Sequence, residues 1–310
     1  VVAVADYNPS AIGIPYADRY YNASTIDVEA ICDVAKDFRP DGIMTLATDM
    51  PMRSIAAATT LLGLPGISMD TAVKTTDKWE MIKAFKEHDV ESPWFYIIER
   101  ENDWDFVRKR ITSPCVLKPT DNAGSRGVIL VETVQKLDEA YQYSKSQSRG
   151  GKVIVEEYMR GNEVSVEVIV YKGKVHILAI TDKLTTGAPY FVEMGHSQPS
   201  RLPEKDLLKI RDLTSRAIKA VGIENGPAHV EVMQTKQGPK MIELGARMGG
   251  DCITTHLVPL STGIDMVKAT IDIALGIEPD IIPKFSKGSA IRFFKVPCGV
   301  IESIEGVESS

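Results

Sequence analysis

The sequence predicts a mixed fold, an α/β segment followed by a larger α+β segment, and three observations carry that expectation. Strand-like and helix-like stretches alternate up to about residue 68. From Cys115 to about Asp182 the chain is β-rich with a single helical stretch. Beyond Lys205, amphipathic helical spacing flanks a hairpin pattern. At 310 residues there is room for two or three packed units.

The elements follow in order. Val1-Val2-Ala3-Val4-Ala5-Asp6 is an apolar run of the kind a buried strand needs, and Asn8-Pro9-Ser10 turns the chain after it. Ile26 to Phe38 has helical spacing, Gly42 to Ala47 suits a strand, and the alanine-rich Met52 to Leu62 suits a helix ended by Gly63. Such alternation implies a parallel, doubly wound sheet. Thr75 to His88 predicts the first helix of a second unit, with Thr76 as its N-cap, and Gln135 to Tyr143 predicts another. Thr185 to Pro203 is polar and loop-like, Lys205 to Val221 is amphipathic, and Ala228 to Leu244 is a hairpin. Thr262 to Leu275 is again helical, and Ser289 to Phe294 is strand-like. Since the chain opens inside one strand and stops soon after another, residues are expected to be missing from each end, the first strand among them.

Composition narrows the partners. The 36 basic and 42 acidic residues leave a formal charge of −6, without a dense basic run. Nucleic acid and anionic membrane are therefore not expected as partners, and small molecules are. Cys32, Cys115, Cys252 and Cys298 are far apart, with no CxxC, as suits reduced, buried thiols. With no apolar stretch of membrane-spanning length and no signal pattern, the expected location is the cytoplasm.

Neither GxxxxGK[ST] nor a strand followed by GxGxxG is present, so a bound nucleotide would need another device. One is offered by Cys115-Val116-Leu117-Lys118-Pro119 and the small-residue loop Asn122-Ala123-Gly124-Ser125-Arg126-Gly127. The strand delivers a compact cation, and the glycines allow backbone N–H groups to approach phosphate oxygens. Next, Val153 to Val155 runs into Glu156-Glu157-Tyr158-Met159, a hinge whose backbone could pair with adenine, and Glu163, two residues past Gly161, suits ribose hydroxyls. Then Glu231 and Glu243 stand opposite each other if the hairpin pairs symmetrically about Gln237. Facing carboxylates among apolar residues need a cation between them, and oxygen ligands suit Mg²⁺. Taken singly, each device has an ordinary alternative: a plain hairpin, a solvated strand end, or acids paired to lysines.

In order, these motifs resemble the ATP-grasp superfamily: Lys78 in Thr76-Asp77-Lys78-Trp79, Lys118 before its loop, the Glu156 to Met159 hinge, Glu163, and Glu231/Glu243 closed by Arg247. The resemblance runs from about residue 75 to 275. It implies a Rossmann-like N-terminal domain over 1–74 and an ATP-grasp domain over 75–310. Within the latter, 113–182 would be the ATP lid and 183–310 the metal- and substrate-binding part. It further implies that Lys78 and Lys118 hold ATP phosphates, that the loop with Gly124, Ser125, Arg126 and Gly127 covers them, and that Glu157 to Met159 reads adenine. Glu163 would bind ribose, and Glu231 and Glu243 would bind Mg²⁺, with Mn²⁺ as an alternative. One departure is Gly245, where the superfamily commonly has Asn, which puts a second metal in doubt.

Within the superfamily the sequence is similar to the L-amino acid ligases that make dipeptides, through Glu193-Met194-Gly195-His196, Gly245 to Asp251 and Leu260 to Asp265. That similarity implies Glu193, His196 and Arg247 as substrate-site or catalytic residues. It also implies an ATP-dependent ligase joining a carboxylate to an amine, amino acids as substrates and a homodimer as the default assembly. A purine or carbamoyl-phosphate type ligase or carboxylase on the same fold, and a non-catalytic ATP-binding module, stay open as alternatives.

Overall fold

The structure is a computed structural model that describes residues 1–111, 114–122, 126–188, 191–296 and 298–306. At the N-terminus β1 (Ala3–Asp6) pairs in parallel with β2 (Arg19–Asn22). The first helix, α1 (Val28–Phe38), starts two residues later than the spacing suggested, because the Asp27 side chain accepts from the Ala30 N–H and caps it. The second, α2 (Met52–Leu62), ends as predicted at Gly63, whose φ of 67° is left-handed.

The expected strand over Gly42 to Ala47 joins no ladder among the described residues. Its backbone is spent elsewhere. Leu46 O accepts from Met248 N at 3.1 Å, and Gly42 packs so tightly on Ala274 that a Cβ would meet its carbonyl at 2.6 Å. This segment therefore ties the N-terminal part to the far end of the chain.

The helix expected over Thr75 to His88 is α4 (Lys78–Glu87), and a short helix that was not foreseen, α3 (Met69–Lys74), precedes it. Asp77, not Thr76, caps α4, accepting from the N–H groups of Trp79 and Glu80. A carboxylate answers the positive helix end better than a hydroxyl does, and Thr76 instead donates its hydroxyl to Ala72 O.

A four-stranded antiparallel sheet follows. In chain order it comprises β3 (Phe95–Ile98), α5 (Glu101–Arg108), β4 (Cys115–Pro119), β5 (Ile129–Val131), α6 (Leu137–Ser146) and β6 (Val153–Glu157), with strand order β3-β6-β4-β5. Its own core holds Ile98, Leu117, Leu137 and Val155, with Trp104 stacked on Tyr141 at 4.5 Å. Sheet pairing thus draws this unit over 95–157 rather than 113–182.

The next strands, β7 (Gly161–Tyr171) and β8 (Lys174–Thr185), belong to a six-stranded sheet of order β11-β10-β7-β8-β9-β12. Its other members are β9 (Glu193–Gln198), β10 (Gly226–Thr235), β11 (Gly238–Gly245) and β12 (Ser289–Arg292). Between them come α7 (Glu204–Val221), α8 (Val258–Thr262) and α9 (Met266–Ala274). The strand β9 lies where a loop was expected: its residues are polar, yet it pairs with both β8 and β12. The helix predicted from Thr262 begins at Met266, since Gly263, at a φ of 77°, ends α8 and Asp265 caps α9.

Alternation along β7 decides the use of each face. Val164, Val166, Val168 and Val170 point into a core shared with Ile210, Leu213 and Ala217 of α7. The odd-numbered set, Glu163, Ser165 and Glu167, lies on the opposite face, which carries the site. Of the cysteines only Cys115 is buried; Cys32 is half-buried, and Cys252 and Cys298 are exposed, all four as free thiols. Among the described residues no helix is long and apolar enough to cross a membrane.

Candidate functional site

A cleft between the two sheets brings together Lys78, Lys118, Arg126, the run from Glu156 to Met159, Glu163, Glu231 and Glu243, residues spread over more than half the chain. Gly124 and Ser125, expected in the loop over the phosphates, lie outside the described residues. Gly127 has a φ of 79°, and a Cβ there would strike Pro119 and Gln147 at 2.7 Å, so the position demands glycine.

The cations come with partners. Lys118 and Glu156 are both buried and form an ion pair of 2.7 Å. The Glu156 side chain is therefore a support for Lys118, a role the hinge reading did not include. Glu157 accepts from Lys240 Nζ at 2.7 Å, and its N–H is bonded to Trp94 O. Tyr158 and Met159, past the end of β6, line the cleft. Lys78 Nζ lies 2.9 Å from Glu243 and donates to Asn122 O.

Glu231 and Glu243 do stand opposite each other, by a route the sequence did not reveal. The turn at Lys236-Gln237 pairs Val232 with Met241, a register that would set Glu231 against Ile242. A bulge after Glu231 takes up the extra residue and brings Glu243 opposite instead. Burial raises the proton affinity of both acids, but Lys183 and His229 hold Glu231 well below the carboxylate range, and Lys78 holds Glu243 below it. Two ionised carboxylates, facing and supplied only with oxygen donors, fit a hard divalent cation.

Lys183 was missed from the sequence. Its Nζ lies 2.8 Å from Glu163, 2.8 Å from Glu193 and 3.2 Å from Glu231, and these acids raise its pKa against the effect of burial. Glu163, by contrast, is raised, because burial outweighs the attraction of Lys183. The available signal was the alternation of β8, which puts Lys183 beside the acids, but a lone lysine in a strand carries no motif.

Glu193 and His196 meet as expected and are joined by Asp251, their ligand atoms all within 4.8 Å of one another. Burial and a hydrogen bond to Asp251 push Glu193 up to about 7. Burial lowers the His196 imidazole. Arg247 is engaged by Asp49, a second missed residue, through two bonds of 3.0 Å. A side chain at Gly245 would meet Asp49 Oδ1 at 2.5 Å, so the Asp49 carboxylate fills the space a larger residue would take. Beside this pair a second opening is lined by Arg53, Lys78, Arg149 and Glu243.

A family model described as an ATP-grasp domain matches residues 111–255. Alanine–anticapsin ligase of Bacillus subtilis is 29% identical over an alignment 269 residues long that covers 79% of this chain and 56% of that protein. Carnosine synthase 1 of Homo sapiens is 25% identical over an alignment 194 residues long that covers 59% of this chain and 23% of that one. This chain thus spans little more than half the length of the first and a quarter or less of the second. The crystal structure of an L-amino acid ligase from Bacillus licheniformis superposes with a TM-score of 0.82 at 26% identity, over 95% of this chain and 74% of that one. The likeness in fold runs through both sheets, and residues 111–255, which carry the strands that build the cleft from β4 to β11, match the ATP-grasp domain.

Proposed function

We propose that the protein is an ATP-dependent ligase that phosphorylates a carboxylate and joins it to an amine, with amino acids as both substrates and a dipeptide as product. The observation that carries this reading is the single cleft in which two lysines, a hinge and facing carboxylates converge beside an opening lined by arginines and acids. The similarity to alanine–anticapsin ligase and to an L-amino acid ligase supports it. The unit over 95–157 acts as the ATP lid on the larger sheet, and the work is done in the cytoplasm.

Lys78 and Lys118 bind the phosphates, the backbone at Tyr158 and Met159 reads adenine, and Glu163 holds ribose. Glu231 and Glu243 would hold Mg²⁺ or Mn²⁺, which when bound neutralises phosphate charge. A substrate carboxylate oxygen attacks the γ-phosphorus in line, forming an acyl phosphate as ADP leaves, and Lys183 and Arg247 balance the charge that develops. The amine, docked as ammonium beside Glu193, His196 and Asp251, loses a proton to Glu193 and attacks the acyl carbon, and phosphate departs.

The test is phosphate release with amino acids supplied singly and in pairs, together with product masses. Release that requires a pair, with a product equal to the two less water, is expected. Release driven by bicarbonate would favour a carboxylase, and no release under any pairing would favour a binding module.

A further inference from the structure

Behind Glu231 lies a pair of residues that the proposed reaction does not use. In the β7–β10 register His229 stands directly opposite Glu167, and the two are joined from Nδ1 to Oε1 at 2.6 Å. Glu167 has no exposed surface, and His229 is 7% exposed. Alternation along β10 sets Glu231 on the same face, with its Oε1 3.5 Å from the other imidazole nitrogen of His229. We propose that Glu167 and His229 are positioning residues, a buried carboxylate–imidazole arm that aims Glu231 at Glu243 and sets how tightly the hairpin holds a divalent cation.

Three observations point the same way. A carboxylate with no exposure is costly to bury, and apolar residues would fill the space at less cost, so the pair answers a need other than packing. The other oxygen of Glu167, Oε2, has no hydrogen-bond partner among the described residues. The acid thus serves one contact, to the imidazole. Finally, the chain passes over the pair at Gly249, where a Cβ would meet His229 Nδ1 at 2.7 Å and Glu167 Oε2 at 2.9 Å. Glycine there leaves the arm undisturbed.

With its ring held by Glu167, His229 has its second nitrogen fixed in place, 3.5 Å from Glu231 Oε1. A ligand carboxylate held from behind keeps one rotamer, which lowers the entropy lost when a cation binds; removing such a support commonly weakens metal binding by about 10- to 100-fold.

This inference rests on the proposed metal role of Glu231, and the test separates the two. Mn²⁺ binding to the protein–ADP complex is measured by electron paramagnetic resonance for the wild type, Glu231→Gln, Glu167→Gln, His229→Gln and Gly249→Ala, with metal-free ADP binding and melting temperature recorded alongside. The expected result is roughly 10-fold or greater weakening of Mn²⁺ binding in both arm variants, with metal-free ADP affinity unchanged. The same direction is expected for Gly249→Ala, which disturbs the arm without altering its charges and serves if an arm variant does not fold. A packing role alone would lower melting temperature and weaken ADP and Mn²⁺ binding together, which would overturn the proposal. Mn²⁺ affinity within twofold of wild type in the folded arm variants, with Glu231→Gln impaired, would also overturn it. If Glu231→Gln binds Mn²⁺ normally, the metal role of Glu231 fails and the positioning inference falls with it.

Discussion

Glu193 is pulled two ways, with burial and Asp251 raising its proton affinity while Lys183 opposes them, and the balance lies at about 7. A group that must be ionised to take a proton from an ammonium gains activity as pH rises through its pKa. The value of kcat/KM should therefore climb through about pH 7 and then level, and Glu193→Gln should flatten that limb while lowering the plateau. An unchanged limb in Glu193→Gln would assign the proton transfer to another group. Lys118, buried against Glu156, has phosphate rather than an amino acid as its partner in the proposed reaction. Lys118→Ala should weaken ATP binding by about 10-fold or more, on the order of 1.4 kcal/mol, and leave amino acid binding nearly untouched in calorimetry. Equal losses would mark a structural lysine.

Residues of this kind differed in how legible they were. Lys118 and Glu243 could be found because each sits in a strand whose apolar neighbours make a charge conspicuous. Lys183, Asp49 and Asp251 could not. Each gains its meaning from partners far away in sequence, as Asp49 does from Arg247 across 198 positions, and no local spacing encodes such a meeting.

At the scale of elements, α2 was placed to the residue, and its end is legible because the glycine stop at Gly63 is local chemistry. The strand β9 was not: Glu193 to Gln198 has no apolar alternation, and its strand form comes from the two neighbours that pair with it. The hairpin register was correct in outcome but needed a bulge, which depends on both strands at once.

The β7–β10 pair also predicts how stability depends on pH. Burial would lower the His229 pKa, but Glu167, helped by Glu231, more than offsets this and pushes it up to about 9. A raised folded-state value means stabilisation that is full below the unfolded value of about 6.5 and is lost as pH rises through about 9. Denaturant unfolding between pH 6 and 10 should show a fall of a few kcal/mol over that window, and Glu167→Gln should remove most of the slope. A rise in stability over the same window would contradict the pairing.

At the scale of the whole molecule, the N-terminal part is fastened to the segment after β11 by the Asp49–Arg247 pair and by the Leu46–Met248 backbone bond. A parallel sheet was foreseen, but the partner of β1 is β2, which was not, and Gly42 to Ala47 serves as a strap between distant parts, which apolar patterning cannot distinguish from a strand. Asp49→Ala leaves the partly buried Arg247 without its acid, at a cost of about 1–3 kcal/mol. It should lower the melting temperature and raise the KM for amino acids while ATP affinity stays near wild type. A selective loss of ATP affinity would instead place this pair at the nucleotide.

The central claim is that a carboxylate oxygen becomes part of the phosphate released. Supplying the carboxylate substrate labelled with oxygen-18 and analysing the released phosphate by mass spectrometry tests this in one measurement. The account predicts that each phosphate released during amide formation carries one labelled oxygen from the substrate, and that ADP carries none. Phosphate free of label, or label found in a nucleotide monophosphate, would contradict it.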